Sequence, residues 1–275
     1  MDKTITLKDM KKIELEILKY IKDVCSENNL NYYLCGGTLL GAIRHNGFIP
    51  WDDDIDIFLP REDYMKLLSI LRENPHYKYK MMSFYDNEDY YYTYAKIVNR
   101  ETCMIEKGLP AINGLGVYVD VFPLDGLPNG QAKRKHHCKK ILFYRRMLYR
   151  SYSKSPKCSG VLKSLLNCPF WLISRLVGYK KLIKLVDSTA MKYKTNDSEF
   201  IACSVAGYGF KEIIPAKVIN KTITVNFENE KFQAPAGYNV YLKSLYGDYM
   251  ELPPKEKRIS RHSYKAYWKK GRVSA

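Results

Sequence analysis

The chain of 275 residues is long enough for one substantial hydrophobic core, alone or with an inserted module, and is tight for two full domains. Its 46% hydrophobic and 27% charged residues exclude a largely disordered protein. The sequence contains no run of about 20 apolar residues, so no membrane-spanning helix is predicted. The net charge is +16, and the seven cysteines form no C-x-x-C pair, which argues against a disulfide framework or structural zinc and favours a cytoplasmic protein.

The first predicted elements surround a glycine-rich turn. Apolar residues at helical spacing predict a helix over residues 7–28, and a short strand over residues 31–35 leads into the turn. A second helix is predicted over Thr38–His45. Free N–H groups at the start of a helix favour a bound phosphate. The predicted phosphate-binding residues of this turn are Gly36, Gly37 and Thr38.

The next predicted strand, residues 54–59, carries two acids. Asp54 and Asp56 point to one side of it, while Ile55 and Ile57 point to the apolar side. Two like charges beside a core are costly to desolvate unless a cation lies between them, and carboxylate oxygens favour Mg²⁺ or Mn²⁺. A solvated acidic loop is the alternative interpretation. A helix over residues 61–72 follows.

A third acid, Asp120, lies within the β-branched and aromatic run of residues 117–122, which Pro123 is predicted to end. Three strand-borne acids are able to hold two metal ions about 4 Å apart for in-line displacement at phosphorus. The predicted catalytic and metal-binding residues are therefore Asp54, Asp56 and Asp120.

Residues 90–98 alternate as a strand, so that one face carries three tyrosines and a lysine. If this face lines a cleft, the tyrosines box a quaternary ammonium and Lys96 binds a phosphate. A half-exposed strand with its lysine in water is an equally good interpretation. Arg44 likewise either binds the donor or caps the end of its own helix.

Residues 131–194, the basic block, contain seventeen Lys and Arg and one acid, Asp187, so the block carries the entire +16 excess. Residues 161–177 combine a wide apolar face with flanking bases, which is typical of a helix on an anionic membrane surface. Pro169 predicts a break near Asn167 and a second helix after it. Two core-packing helices with a solvated basic face are the alternative.

The C-terminal part is predicted to form a hairpin over residues 222–233 with a turn near Glu228-Asn229, then a helix over residues 238–246 that Gly247 ends. Beyond it, Arg258 and His262 are candidates for closing over a donor pyrophosphate, with an ordinary surface tail as the alternative.

The stretch from Gly36 to Asp56 resembles the LicD family of phosphotransferases, and similar landmarks recur at residues 61–64, 96–97, 120–125 and 241–254. The resemblance implies an α+β fold with a nucleotidyltransferase-type mixed sheet flanked by helices. We expect a catalytic core over residues 1–130, a basic helical insertion over 131–199, and a part over 200–275 that packs back on the core.

The resemblance also implies an activity that requires Mg²⁺ or Mn²⁺. The expected reaction transfers a phosphorylated alcohol, first of all phosphocholine from CDP-choline, onto a cell-surface glycan such as lipopolysaccharide, capsule or cell-wall polymer, or onto a lipid-linked precursor. The expected location is the cytoplasmic face of the membrane, with the protein bound peripherally. Ribitol, glycerol or sugar phosphate as cargo, a nucleotide-adding enzyme that grips RNA, and a non-catalytic scaffold are the alternatives, with nucleic acid the less favoured partner.

Overall fold

The computed structural model describes residues 3–156, 160–205, 207–259 and 264–269. The described residues form seven α-helices: α1 (Leu7–Glu27), α2 (Gly36–His45), α3 (Arg61–Glu73), α4 (Gln131–Tyr152), α5 (Val161–Val177), α6 (Tyr179–Ala190) and α7 (Tyr238–Tyr246). Their strands are β1 (Tyr33–Leu34), β2 (Asp56–Pro60), β3 (Tyr79–Met82), β4 (Ala95–Asn99), β5 (Thr102–Glu106), β6 (Tyr118–Leu127), β7 (Phe200–Ala202), β8 (Ile214–Pro215), β9 (Thr222–Phe227), β10 (Glu230–Pro235) and β11 (Tyr264–Trp268). The predicted α+β class is confirmed.

The central sheet is mixed and runs in the order β1-β2-β6-β4-β3, with β7 and β8 continuing from the far end of β6. Strands β2 and β6 are parallel, and their register places Asp56 opposite Asp120. Strands β6 and β4 are antiparallel, and their register places Asp120 opposite Lys96. Three charged residues that are far apart in the sequence therefore lie side by side across three strands.

Helix α1 packs its apolar stripe on this sheet, as the periodicity predicted. Ile17 and Ile21 are fully buried, and burial of each isoleucine contributes about 1.5–3 kcal/mol relative to exposure. The helix begins where the Thr6 hydroxyl accepts a hydrogen bond from the Asp9 N–H at 3.1 Å, which satisfies one of the unpaired N–H groups of the first turn.

The C-terminal predictions of a hairpin and a helix are confirmed. Strands β9 and β10 pair as an antiparallel hairpin, and Glu228 and Asn229 both have positive φ, as a two-residue type I′ turn requires. Helix α7 ends before Gly247, whose φ is +71°. The six described cysteines form no disulfide, whereas Cys158 lies outside the described residues.

Several predicted strand bounds are wrong. Strand β4 begins only at Ala95, because Tyr90–Tyr94 form irregular chain, and β2 begins at Asp56, not at Asp54. Strand β6 does not end at Pro123 but continues to Leu127. The pairing of β6 with β4 ends at Val121, and its pairing with β7 starts at Asp125. Pro123 lies between the two, where neither β4 nor β7 requires a hydrogen bond from a backbone N–H, so the proline is tolerated there.

The predicted break in α5 is also wrong, because residues 161–177 form one helix with Pro169 inside it. The proline removes the hydrogen bond to the carbonyl of Leu165, a residue that is 65% exposed, so water is able to satisfy that carbonyl. The neighbouring Asn167 fixes the helix by accepting a hydrogen bond from the Arg150 Nε at 2.5 Å and donating one to the Pro156 carbonyl at 2.9 Å.

Helices α4 and α6 of the basic block pack on the core, α6 through Leu182, Ile183 and Val186. A buried ion-pair network ties the block to the sheet. The Arg61 guanidinium donates to both carboxylate oxygens of Asp125, at 2.6 and 2.8 Å, and to Asp187 at 2.9 Å. The single acid of the block is thus used for attachment to the core.

Among the described helices, none combines the length and the apolar character that crossing a membrane requires.

Candidate active site

The acids after the glycine turn lie against the start of α2. Gly36 has a φ of +52°, and a side chain there would place its Cβ 3.2 Å from the Asp56 Oδ2. A Cβ on Gly37 would overlap the Asp52 carboxylate. Glycine is required at both positions because two carboxylates approach the backbone closely, so this end of α2 attracts negative charge.

The predicted phosphate-binding turn makes defined contacts within the protein. The Gly36 N–H donates to the Tyr241 hydroxyl at 3.2 Å. The Thr38 hydroxyl accepts from the Asp56 N–H at 2.8 Å, so Thr38 holds the start of β2 in place. Binding of a phosphate by this turn stays a prediction.

Acids alternate in direction along the segment, as the sequence predicted. Asp52, Asp54 and Asp56 line a cavity of about 580 Å³, which we call the carboxylate cavity. Asp53 points away from it, is buried, and accepts a hydrogen bond from the Tyr264 hydroxyl at 2.8 Å.

These carboxylates fit a divalent cation. Burial, followed by the charges of Asp54, Asp120 and Asp52, raises the pKa of Asp56 well above its ordinary value. One oxygen from each of Asp52, Asp53 and Asp54 lies within 4.8 Å of the others. An all-oxygen group that is strained by mutual repulsion matches the preference of Mg²⁺ or Mn²⁺, but this group contains neither Asp56 nor Asp120. Metal binding by Asp54, Asp56 and Asp120 therefore stays a prediction.

Asp120 lies beside Asp56 but is paired within the protein. The Lys96 ammonium donates to its Oδ1 at 2.6 Å, and both side chains are buried. The same ammonium lies over the rings of Tyr118, Tyr92 and Tyr94, at 3.4, 4.5 and 5.3 Å from their centroids. The cation that the tyrosines surround is therefore Lys96 itself, so their arrangement gives no support for a box around a substrate ammonium. The alternative interpretation, a lysine that points to water, does not fit the burial of Lys96.

Arg44 and residues of the C-terminal tail also line the carboxylate cavity. An Arg44 terminal nitrogen donates to the carbonyls of Tyr249 at 2.6 Å and Glu251 at 3.1 Å, which fixes the guanidinium at the cavity and not on the end of its own helix. The Arg258 Nε donates to the Pro253 carbonyl at 2.8 Å, and its guanidinium lies over Trp51 of the same cavity. His262 lies outside the described residues.

Sequence reasoning missed two acids of this region. Asp52 lines the cavity together with Asp54. Glu14 of α1 is buried, its Oε2 has no hydrogen-bond partner among the described residues, and burial followed by the charges of Asp54 and Asp53 raises its pKa well above the ordinary value. Its position four residues after Met10 and three before Ile17 places an acid on the apolar stripe, which was the available clue.

Acids on adjacent strands, a helix that begins at two glycines, and a cavity lined by both acids and bases are typical of an enzyme that handles phosphate groups. Residues 29–155 match the family described as LicD/FKTN/FKRP, nucleotidyltransferase domain. The chain is 32% identical over 277 aligned residues to the lipopolysaccharide cholinephosphotransferase LicD of Haemophilus influenzae. The alignment covers 96% of this chain and 99% of that protein. The chain belongs to the LicD family.

A second, shorter similarity points in the same direction. The chain is 44% identical over 48 residues to the human ribitol 5-phosphate transferase FKRP, a match that covers 18% of this chain and 10% of that protein. Because both relatives are phosphotransferases by name, the prediction of an enzyme that transfers substituted phosphate groups is confirmed.

Proposed function

We propose that this enzyme transfers phosphocholine from CDP-choline onto a cell-surface glycan or its lipid-linked precursor, in a reaction that requires Mg²⁺ or Mn²⁺ and uses a nucleotidyltransferase-type site. The observation that carries the proposal is the composition of the carboxylate cavity. Its lining combines acids with two bases, Arg44 and Lys257, the acids being Asp52, Asp54, Asp56, Asp248 and Glu251. A lining of both kinds suits a diphosphate that binds together with a cation. The choice of choline rests on the similarity to LicD along the whole chain.

The carboxylates and bases divide the chemistry. Asp54 and Asp56 would hold the metal, which when bound neutralises the donor diphosphate and lowers the pKa of the attacking hydroxyl. Asp120, held in place by Lys96, lies beside Asp56 and is our candidate for taking the proton from the acceptor hydroxyl. Arg44, held by two backbone carbonyls, would bind the departing CMP without losing further side-chain freedom.

Helix α5 supports a peripheral site on the cytoplasmic face of a membrane. Its inward side carries the fully buried Ser174, whose hydroxyl donates to the Phe170 carbonyl at 2.6 Å, and the Trp171 indole, which donates to the Ser153 carbonyl at 3.1 Å. Its outward side carries its large apolar residues: Leu176 is 87% exposed and Leu162 is 72% exposed. This orientation does not fit a core-packing helix and, beside the basic block, suits the interface of an anionic bilayer.

Donor specificity tests the proposal. We expect CDP-choline with Mg²⁺ to raise the midpoint of thermal unfolding, because a ligand that binds only the folded state stabilises it. CDP-glycerol, CDP-ribitol, ATP and UTP complete the panel, and omission of Mg²⁺ is the control. A shift with CDP-ribitol or CDP-glycerol but not with CDP-choline would show that the transferred group is ribitol phosphate or glycerol phosphate and not phosphocholine. A shift with ATP or UTP alone would overturn the proposal in favour of nucleotide addition.

A further inference from the structure

A second cavity, of about 900 Å³, lies between α4 and the tyrosine-rich chain before β4, and we call it the tyrosine cavity. It is lined by four bases and no acid among the described residues, the bases being Arg145, Arg146, Arg150 and Lys154. Arg146 and Lys154 form no ion pair with any carboxylate that the structure describes. Bases that line a concave site, with no acid among its described lining residues, favour an anionic ligand.

A row of aromatic rings crosses this cavity. Successive centroids are 5.5 Å apart from Tyr149 to Tyr152, 4.6 Å from Tyr152 to Tyr91, 4.8 Å from Tyr91 to Tyr92, 5.4 Å from Tyr92 to Tyr94, and 4.3 Å from Tyr94 to Phe122. Tyrosine presents an apolar ring face with a polar tip, which suits the apolar face and surrounding hydroxyls of a sugar.

The row ends beside the catalytic carboxylates. Phe122 lies two residues after Asp120 on β6, so both side chains are on the same face of the strand. Tyr94 lies close to Asp120 through Lys96, whose ammonium is 5.3 Å from the Tyr94 ring centroid and 2.6 Å from the Asp120 Oδ1.

The other end of the row faces α5, the helix that we propose lies on the membrane. Tyr149 is 60% exposed, and Asn167 of α5 lines the cavity on the side opposite the exposed leucines. A ligand that enters here lies between α5 and Asp120, while the carboxylate cavity remains open to the nucleotide donor.

From this placement we infer that the tyrosine cavity binds the acceptor, a glycan that carries phosphate, with its sugars on the tyrosine row and its phosphate on Arg146 and Lys154. The inference rests on the proposed function, because it supplies the second substrate of that transfer. The phosphate belongs either to the glycan itself or to its link to a lipid.

Direct binding tests the site apart from catalysis. The probe is a deacylated lipopolysaccharide core oligosaccharide, used in phosphorylated form and after removal of its phosphate, with calorimetry as the readout. The cavity variant combines Arg146→Gln with Lys154→Gln. Its matched control combines Lys135→Gln with Lys139→Gln, which removes the same charge from exposed positions of α4 outside the cavity.

We expect the phosphorylated glycan to bind the cavity variant about tenfold more weakly than it binds the wild type and the control. The dephosphorylated glycan should bind all three proteins equally. Equal affinity of the cavity variant and the control for the phosphorylated glycan, together with equal affinity for a lipid-linked oligosaccharide diphosphate, would overturn the inference.

The aromatic row has its own test. Tyr149→Ala should weaken both glycan forms by about fivefold, and Tyr149→Phe should restore binding because the ring face is kept. Tyr77→Ala, at a residue that is 83% exposed and outside the cavity, is the matched control. Unchanged affinity of Tyr149→Ala for both glycans would contradict the assignment of the sugars to the row.

The source of the phosphate follows from a lipid-linked probe, a polyprenyl-diphosphate oligosaccharide in neutral vesicles. A loss in the cavity variant with the soluble phosphorylated glycan assigns the bases to phosphate on the glycan, and a loss with the lipid-linked probe alone assigns them to the link. Stabilisation by CDP-choline should be the same in all variants. If the donor proposal is wrong, the wild type itself is not stabilised by CDP-choline, and the glycan-binding result is still interpretable by itself.

Discussion

Asp56 is held in an environment that opposes its own charge, since burial and three neighbouring carboxylates raise its pKa while the Lys96 charge lowers it. Asp120 is held in the opposite way, by a 2.6 Å ion pair with Lys96. The charge of Asp56 therefore lowers the stability of the folded protein, whereas the charge of Asp120 is compensated. A destabilising charge of this kind is typical of a functional site, where ligand binding and not stability determines the residue.

The two acids should respond differently to neutralisation. Asp56→Asn, measured without metal, should leave the thermal midpoint unchanged or raise it, because like-charge repulsion is removed. Asp120→Asn should lower the midpoint, because Lys96 is left as a buried cation without its partner. Thermal unfolding in the absence of divalent metal measures both, with the exposed Asp23→Asn as the control.

A destabilised Asp56→Asn protein, or an Asp120→Asn protein of unchanged stability, would contradict this reading of the pair. In the presence of CDP-choline and acceptor, both variants should lose at least about a thousandfold in rate, which corresponds to about 4 kcal/mol of transition-state stabilisation.

Glu212 gives the fold a pH dependence. Burial raises the pKa of its carboxyl to about 8, although the charge of Arg145 lowers it. Because the folded pKa lies above the unfolded one, the stabilising contribution of this group is complete below about pH 4.5 and is lost as the pH rises through about 8. Glu212→Gln should therefore lose less stability than the wild type between about pH 5 and about pH 8.5, by up to about 4 kcal/mol in free energy of unfolding.

Urea unfolding at each pH measures this difference, and Glu230→Gln, at a surface acid paired with Lys19, is the control. Parallel pH profiles for the Glu212→Gln protein and the wild type would show that the Glu212 carboxyl is ionised in the folded protein at all these pH values.

At the scale of elements, two arginine–aspartate pairs with the same Nε-to-oxygen distance differ in their burial. In each pair the arginine Nε lies 2.6 Å from an aspartate oxygen, but Arg61 and Asp125 are buried whereas Arg72 and Asp86 lie at the surface. The buried pair also reaches Asp187 and so joins α3, β6 and α6.

Arg61→Met should lower the free energy of unfolding by about 3–5 kcal/mol, because it leaves two buried carboxylates without a cation. Arg72→Met, the matched control, should cost at most about 1 kcal/mol. Chemical denaturation measures both, and equal losses in the two variants would show that burial does not set the strength of these pairs.

The same elements show what sequence reasoning was able to predict. Helix α1 and the β9–β10 hairpin follow from local patterns, an apolar period and a turn at Glu228-Asn229, and both are present. The continuation of β6 through Pro123 was missed because it depends on where β4 and β7 pair, which is not a local property. The continuity of α5 through Pro169 was missed because it depends on Asn167, whose side chain contacts Arg150 and Pro156.

At the scale of the whole molecule, the basic block combines an excess of positive charge with exposed apolar side chains. The basic block holds seventeen bases and a single acid, and that acid is buried in the Arg61 network. The large apolar residues of α5 face outward beside these bases. The sequence predicted that Asp56 and Asp120 belong to one site, and the register places them opposite each other on adjacent strands. The pairing of Asp120 with Lys96 and the second cavity depend on how the strands are arranged and were not predicted.

Vesicle sedimentation tests the membrane-facing side. The protein should pellet with vesicles of phosphatidylglycerol and phosphatidylcholine at low salt and be released only in part by high salt, because apolar insertion adds to about 1 kcal/mol for each base near the surface. Leu162→Ser with Leu176→Ser, both on the exposed face of α5, should make release by salt complete.

The control for this measurement is Leu7→Ser with Ile105→Ser, which changes exposed apolar residues outside the basic block. Absence of pelleting at low salt, together with tight and steeply salt-dependent RNA binding, would overturn membrane docking in favour of nucleic acid.

The most direct measurement is the mass of the acceptor after incubation of the enzyme with Mg²⁺, CDP-choline and a phosphorylated core oligosaccharide. We predict that the glycan gains one phosphocholine for each CMP released, and that neither change occurs with EDTA or with the Asp56→Asn protein. Transfer that persists with EDTA, or transfer of CMP in place of phosphocholine, would contradict the account.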